Sequence, residues 1–342
     1  MENFVLYVLC FVTAWVLSAA ALPLLRRTVS RYLLDAPGGL KTHAAPVPVI
    51  GGCAILVGVL GSLILIRLCT HFPSGTLHNL RGILLGGGLI FCMGLADDFT
   101  KPRGLPVWLK LCAQAVATAA LIRYGVKIEA VQTPYLSWLL TFLWIVGLTN
   151  AFNLLDIQNG LCVTQALVCT AGLTLITLPR EYVYVNFAAL ALFGACLAFW
   201  PQNYHKARPV FLGDSGSNLL GFLIAALSLG YGYSARSNWG FLAPLFMLCV
   251  PIFDTAFVIF ARIRSGKNPL KGSNDHAALR LKNAGWTNAR TVAVFALIGA
   301  IGNLSAFVLT RGSGTTALIL LAAAAVTGAW LTQYLLRLGV PK

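Results

Sequence analysis

Charge is scarce in this chain. Only 10% of its 342 residues are Asp, Glu, Lys or Arg, against about 25% in a typical soluble domain. With 58% apolar residues and a mean hydropathy of +0.79, that scarcity excludes a water-soluble globular protein. Acids are the scarcer sign: ten Asp and Glu stand against 25 Lys and Arg, a net charge of +15. The nine cysteines contain no CxxC pair and mostly lie inside apolar runs. Neither a disulfide framework nor a thiolate metal site is expected, only small buried packing groups. There is no low-complexity segment and no repeat of one half in the other. No Lys or Arg precedes the first apolar run, only Glu2 and Asn3. A signal peptide needs a positive start, so this run is expected to be retained as a span.

What is present is a series of long apolar runs. They fall near 3–22, 49–68, 82–96, 105–122, 138–154, 160–178, 183–200, 212–230, 240–261, 291–310 and 315–336. A helix crossing about 30 Å of hydrocarbon needs about 20 residues. Eleven such helices take about 220 residues, leaving roughly 122 for ten loops and two tails. The expected fold is therefore an all-α polytopic integral membrane protein of ten or eleven transmembrane helices, one domain over 1–342. With the N-terminus outside and eleven alternating spans, 18 of the 25 Lys and Arg fall on the inner side. That bias predicts an inner, cytoplasmic C-terminus. It also accounts for the +15 charge without a nucleic-acid partner.

The acids sort more sharply than the cations. All seven Asp (35, 97, 98, 156, 214, 254 and 275) fall on or near the inner face, and all three Glu (2, 129 and 181) fall outside. Acidic loops do not set topology, so the pattern points to an acidic cluster at the inner membrane boundary. Asp97 and Asp98 close the run ILLGGGLIFCMGLA, where adjacent carboxylates are expensive unless used. They suit Mg2+ or phosphate chemistry, because hard cations take oxygen ligands. Lys101 follows one turn later, and Lys110 and Gln114 lie one turn apart on the next helix. Asn153, Asp156 and Asn159 recur every third residue before Gly160. In FLGDSGS, Asp214 and its neighbours open a long apolar helix. They either cap that helix or leave its free N–H groups for a phosphate. The stretch 262–290 is the most basic. Its bland reading is a headgroup-facing loop, and its functional reading adds Asp275, His276 and Arg280 as a grip on an anionic substrate. The stretch 38–52 adds Lys41 and His43. All five segments fall on one predicted face. Phosphoryl transfer between a soluble nucleotide and a membrane lipid phosphate requires that combination of acids, cations and a polar pocket.

These segments read DAPGGLKTHAAPVPVIGG, GLADDFTK, LPVWLKLCAQ, NAFNLLDIQNGL, FLGDSGSNLLGF, PIFDTAFVIFARIRSGKNPL and NDHAALRLKNAGW. In order and spacing, from about residue 35 to 290, the chain resembles the polyprenyl-phosphate N-acetylhexosamine-1-phosphate transferases. The resemblance implies a cytoplasm-facing cleft in a bacterial inner membrane, a bound Mg2+ for which Mn2+ can substitute, and a homodimer. It implies attack of polyprenyl phosphate on the β-phosphate of a UDP-sugar, releasing UMP. Carried over by position, Asp97 and Asp98 match the catalytic pair, and Asp214 and Asn153 the metal site. Lys41 and Lys110 match phosphate-contacting lysines, and Lys101 the basic residue after the pair. Asp156 and Asn159 match the nucleotide side. Three positions depart from the family: Asn159 stands where most bacterial members have Asp, Leu279 where near relatives have a second His, and Val49 at a polar or basic position. The triple-His signature of the MurNAc-pentapeptide branch is missing, which favours the GlcNAc-type branch.

Two rival readings come from other classes. A transporter or flippase also uses intramembrane Asp, but near the midplane and often with inverted repeats; Asp254 is the one acid that fits. An inactive relative would bind lipid or nucleotide without turnover.

Overall fold

The computed structural model describes residues 3–35, 45–70, 76–205, 209–268 and 275–339. The described chain is almost wholly helical. In order come α1 (Phe4–Thr28), α2 (Gly51–Cys69), α3 (Thr76–Thr100), α4 (Val107–Arg123), α5 (Pro134–Leu155), α6 (Leu161–Thr177) and α7 (Val183–Tyr204). Then follow α8 (Gly213–Leu229), α9 (Ala243–Met247), α10 (Cys249–Arg264), α11 (Ala277–Asn283), α12 (Asn288–Leu309) and α13 (Gly314–Arg337). In hydrocarbon each segment must satisfy its own backbone, which is why the apolar runs become helices. The chain is an all-α polytopic membrane protein.

Among the described residues nine helices are long and apolar enough to cross a membrane, or ten if one bent pair counts as a single span. Two of the eleven expected spans take unexpected forms. The run 105–122 becomes α4, whose 17 residues reach only about 25 Å at 1.5 Å per residue. The run 240–261 breaks at Leu248, with its halves bent by 68°. Pro251 explains the break, because it has no N–H to return to the Met247 carbonyl four residues back. That carbonyl instead accepts from the Cys169 thiol of α6 at 3.4 Å.

α8 forms the centre of the bundle, with 78% of its apolar window buried, against 6% for α13. It packs on α3, α5, α2, α6 and α7. Helix association in lipid depends on close backbone approach, and Gly94 supplies it: a Cβ there would sit 2.5 Å from the Asp214 carbonyl oxygen. A short antiparallel ladder, not expected from the sequence, joins β1 (Leu34–Asp35) to β2 (Val47–Pro48). Val49 extends it by a parallel bridge to Phe211. The N–H groups of Gly51 and Gly52 then donate to the carbonyls of Phe211 and Leu212, at 3.0 and 2.9 Å. The entries to α2 and α8 are thereby tied side by side.

Candidate active site

Consecutive residues on a helix point about 100° apart, so Asp97 and Asp98, in the last turn of α3, serve different neighbours. Asp97 turns toward α4. It accepts from the Leu105 N–H and from the Lys110 ammonium. Asp98 turns toward α8. It accepts from the N–H groups of Asp214 (2.9 Å) and Ser215 (3.0 Å) and from Lys101 (2.9 Å). Gly213 makes that contact feasible. Its φ of +80° is left-handed, and a Cβ there would lie 2.7 Å from an Asp98 carboxylate oxygen. The N–H groups that the sequence left open for a phosphate are thus partly taken, and their owner is the Asp98 side chain. A buried carboxylate is stabilised by such donors and by the helix dipole.

Asp214 closes the cluster. Lys101 lies 3.3 Å from one of its oxygens and Lys110 3.6 Å from the other. The exposures divide the five side chains into two layers. Asp97 and Asp98 are 2% and 1% exposed, whereas Asp214, Lys101 and Lys110 are 22%, 28% and 24%. Two buried acids thus hold two cations against a third acid that faces open space. Burial alone would push the Lys101 ammonium toward deprotonation. The Asp214 and Asp98 carboxylates outweigh it and hold its pKa above the ordinary lysine value.

Asn153, near the end of α5, is linked to the first turns of α8, its Oδ1 accepting from Ser217 Oγ at 2.8 Å. Asp156 follows at the C-terminus of α5. Desolvation pushes its pKa well above the ordinary carboxylate range and Asp214 adds to this, while Lys101 opposes it. The turn 156–160 is clamped from two sides. Asn203 of α7 accepts from the Gly160 N–H (2.5 Å) and donates to the Val210 carbonyl (2.8 Å). Asn288 of α12 donates to the Asn159 carbonyl at 2.9 Å and also bonds Gln158. The backbone of Asn159 is therefore held, and its half-buried side chain bears no part of the clamp. Ser217 closes the FLGDSGS motif that the sequence singled out, but sequence reading missed Asn203 and Asn288. Their only signal was polar residues at the ends of apolar runs.

Asp275, His276 and Arg280 form a separate cluster. Asp275 bonds Arg280 at 3.0 Å and lies 3.5 Å from Arg262 of α10. Arg280 also donates to the carbonyls of Leu335 and Leu338 at 3.2 and 3.0 Å. His276 Nδ1 meets the Asp254 carboxylate at 2.8 Å, and the Ala277 N–H donates to the same group at 3.0 Å. These contacts pin α11 to α10 and α13. Lys41 and His43 lie outside the described residues.

Among the described residues no three His, Cys, Asp or Glu stand as a ready metal cage. The donor set suits a different mode. Mg2+ commonly binds through one or two carboxylates plus substrate phosphates, and Asp214 offers one partly exposed carboxylate, with Asn153 held on Ser217 of the same helix, three residues on.

Comparison with known proteins agrees with this geometry. Residues 80–232, which hold all five members of the cluster, match the model of glycosyl transferase family 4. The chain is 30% identical over 319 residues to the "Probable undecaprenyl-phosphate N-acetylglucosaminyl 1-phosphate transferase" of Bacillus subtilis, covering 90% of this chain and 86% of that protein. The chain belongs to glycosyl transferase family 4. It is an enzyme, of the phosphotransferase class. Other family members support the same placement. The decaprenyl-phosphate N-acetylglucosaminephosphotransferase of Mycolicibacterium smegmatis is 29% identical over 83% of this chain and 77% of its own length. A phospho-N-acetylmuramoyl-pentapeptide-transferase of Streptococcus agalactiae is 29% identical over 74% and 80%. Within glycosyl transferase family 4 the matched region spans α3 to α8, so it contains the whole carboxylate–lysine cluster and the clamped turn.

Proposed function

We propose that this enzyme transfers a sugar-1-phosphate, GlcNAc-1-phosphate, from a UDP-sugar to polyprenyl phosphate of the undecaprenyl type. A phosphate oxygen of the lipid forms a bond to the β-phosphorus, the bond to the bridging oxygen breaks, and UMP leaves. The observation that carries this reading is the two-layer cluster: partly exposed Asp214, Lys101 and Lys110 on buried Asp97 and Asp98. Phosphoryl transfer needs positioning and charge neutralisation more than covalent chemistry. Lys101 and Lys110, both partly exposed, supply cations for the phosphates of the two substrates. Asp97 and Asp98 hold those cations in place, with Asp98 also fixing the first turn of α8. A divalent ion held by Asp214 and Asn153 would neutralise diphosphate charge and polarise the phosphoryl oxygens. Asp156 and Asn159, on the clamped turn, lie on the nucleotide side. Asn keeps both a donor and an acceptor for a uracil edge.

The site end of the bundle also carries Arg26 and Arg27 of α1, Arg262 and Arg264 of α10 and Arg337 of α13 in their last turns. That concentration supports a cytoplasmic site in the bacterial inner membrane. The transporter reading loses its one supporting residue, because Asp254 caps α11 rather than standing alone in the bundle. The GlcNAc preference rests on the names of relatives that cover more of this chain than the pentapeptide-transferase of Streptococcus agalactiae does and on His276 being the one histidine of segment 275–281.

The test is UMP release by the detergent-purified protein with undecaprenyl phosphate, Mg2+ and a panel of UDP-sugars. Release is expected to need both lipid and metal and to be fastest with UDP-GlcNAc. No release with any sugar from a folded protein overturns the reading, as does release that EDTA leaves untouched.

A further inference from the structure

α13 stands apart from the rest of the bundle and meets it through α10, α11 and α12. Two apolar cavities flank it. One, of about 520 Å3, lies between α10 and α13 and is walled by Phe253, Phe257 and Phe260 on one side and Ala324, Ala325 and Gly328 on the other. Among the described residues its one charged lining residue is Arg264. That side chain is exposed at the end of α10 and has no acidic partner among the described residues. The second, of about 680 Å3, reaches across to Phe295 and Ile298 of α12 and has no charged lining residue among those described. Both are of the size that holds a ligand, about 300–1,000 Å3. They share Phe253, Ala324 and Gly328, so they adjoin along one stretch of α13. Neither includes a member of the carboxylate–lysine cluster.

We propose that α10, α12 and α13 enclose a binding site for a diacyl anionic phospholipid. One acyl chain lies in each cavity, and the phosphate pairs with Arg264 at the membrane boundary. Charge complementarity selects the headgroup. An arginine presents a fork of donors that matches phosphate, and a basic residue at this level attracts anionic lipids. The paired cavities select a lipid with two chains. The site lies apart from the reacting groups and does not depend on the proposed reaction.

Two substitutions separate charge from shape. Arg264→Gln removes the cation. Gly328→Leu fills the shared wall: nothing lies within 4 Å of a Cβ at Gly328, and leucine favours a helix over glycine. Delipidated full-length protein is titrated with dioleoylphosphatidylglycerol, dioleoylphosphatidylcholine or undecaprenyl phosphate, read by native mass spectrometry and by unfolding temperature. The parent is expected to hold one phosphatidylglycerol per chain, in preference to phosphatidylcholine, and to unfold at a higher temperature with it. Arg264→Gln is expected to weaken that binding about fivefold, the equivalent of the ~1 kcal/mol of one cation at an anionic surface, and to erase the preference. Gly328→Leu is expected to abolish retention without lowering the lipid-free unfolding temperature. Equal binding of the two phospholipids by the parent overturns the proposal, as does unchanged binding in both variants. One-for-one displacement by undecaprenyl phosphate assigns the cavities to the substrate lipid. A dimer broken by Gly328→Leu with lipid binding intact assigns the face to a second copy of the chain. Either result also overturns the proposal.

Discussion

Two clusters of charge sit at the same end of this bundle, built from acids and cations in similar number. One joins Asp97, Asp98 and Asp214 to Lys101 and Lys110. The other joins Asp254 and Asp275 to His276, Arg262 and Arg280. In the first, each lysine is shared between two carboxylates, and three of the five side chains are more than a fifth exposed. In the second, no side chain exceeds 7% exposure, and Arg280 is also bound to two carbonyls of the α13 end. The choice of cation fits the difference. A lysine is a point charge on a flexible stem, able to turn to an incoming phosphate, whereas an arginine fork is locked by several fixed acceptors at once. Similar charges therefore make a reactive surface in one place and a clasp between helices in the other.

The sharpest way to break this comparison is one carboxylate from each cluster. Asp214→Asn is expected to lower sugar-phosphate transfer by at least about 10²-fold, the scale of losing a principal electrostatic contact to the reacting groups. Its unfolding temperature in detergent should stay close to the parent's. Collapse of the fold with this substitution would make the first cluster a clasp as well. Asp275→Asn should behave in the opposite way. It leaves two buried guanidiniums without their carboxylate, at a cost of about 3–5 kcal/mol. A large fall in unfolding temperature is the expected result. Lost turnover with unchanged stability would instead move the segment 275–280 into the substrate site.

The smallest expected effect concerns Asp156, an acid with no ion pair among the described residues. Burial raises its pKa in the folded protein, and Asp214 and Asp98 add to this against the pull of Lys101. An acid raised in this way costs stability. The cost is absent below the ordinary carboxylate value of about 3.9, grows as pH rises above it, and levels off beyond the raised folded value. Asp156→Asn removes the cost. The variant should unfold with the parent near pH 4 and at a higher temperature at neutral pH. Equal unfolding temperatures at both pH values would show that Asp156 is already paired.

Much of the site was legible in the sequence, because its members end or begin apolar runs. Asp97, Asp98 and Lys101 close one run, Asp214 opens another, and Lys110 lies one turn into a third. Alternation of spans places all of them on one face. The partners were not legible. Asp98 meets the N–H of Asp214 across 116 positions of sequence, and nothing local marks that contact. Asn203 and Asn288 looked like ordinary polar helix ends until the turn 156–160 was seen between them. The eleven expected spans met a similar limit. Hydropathy marks a run but is insensitive to its exact length or a bend within it, as α4 and the break at Leu248 show.

By itself the sequence determined the helices, their apolar faces and the end at which the charges gather. Lipid forces those outcomes locally, since each span must bond its own backbone and ions are costly in hydrocarbon. Only the tertiary structure decided which carboxylates are buried and which is open, and which cations are shared or locked. Those outcomes depend on the rotation and depth of each helix against its neighbours. They are set by contacts such as Gly94 on Asp214 and Gly213 beside Asp98, between residues far apart in the chain.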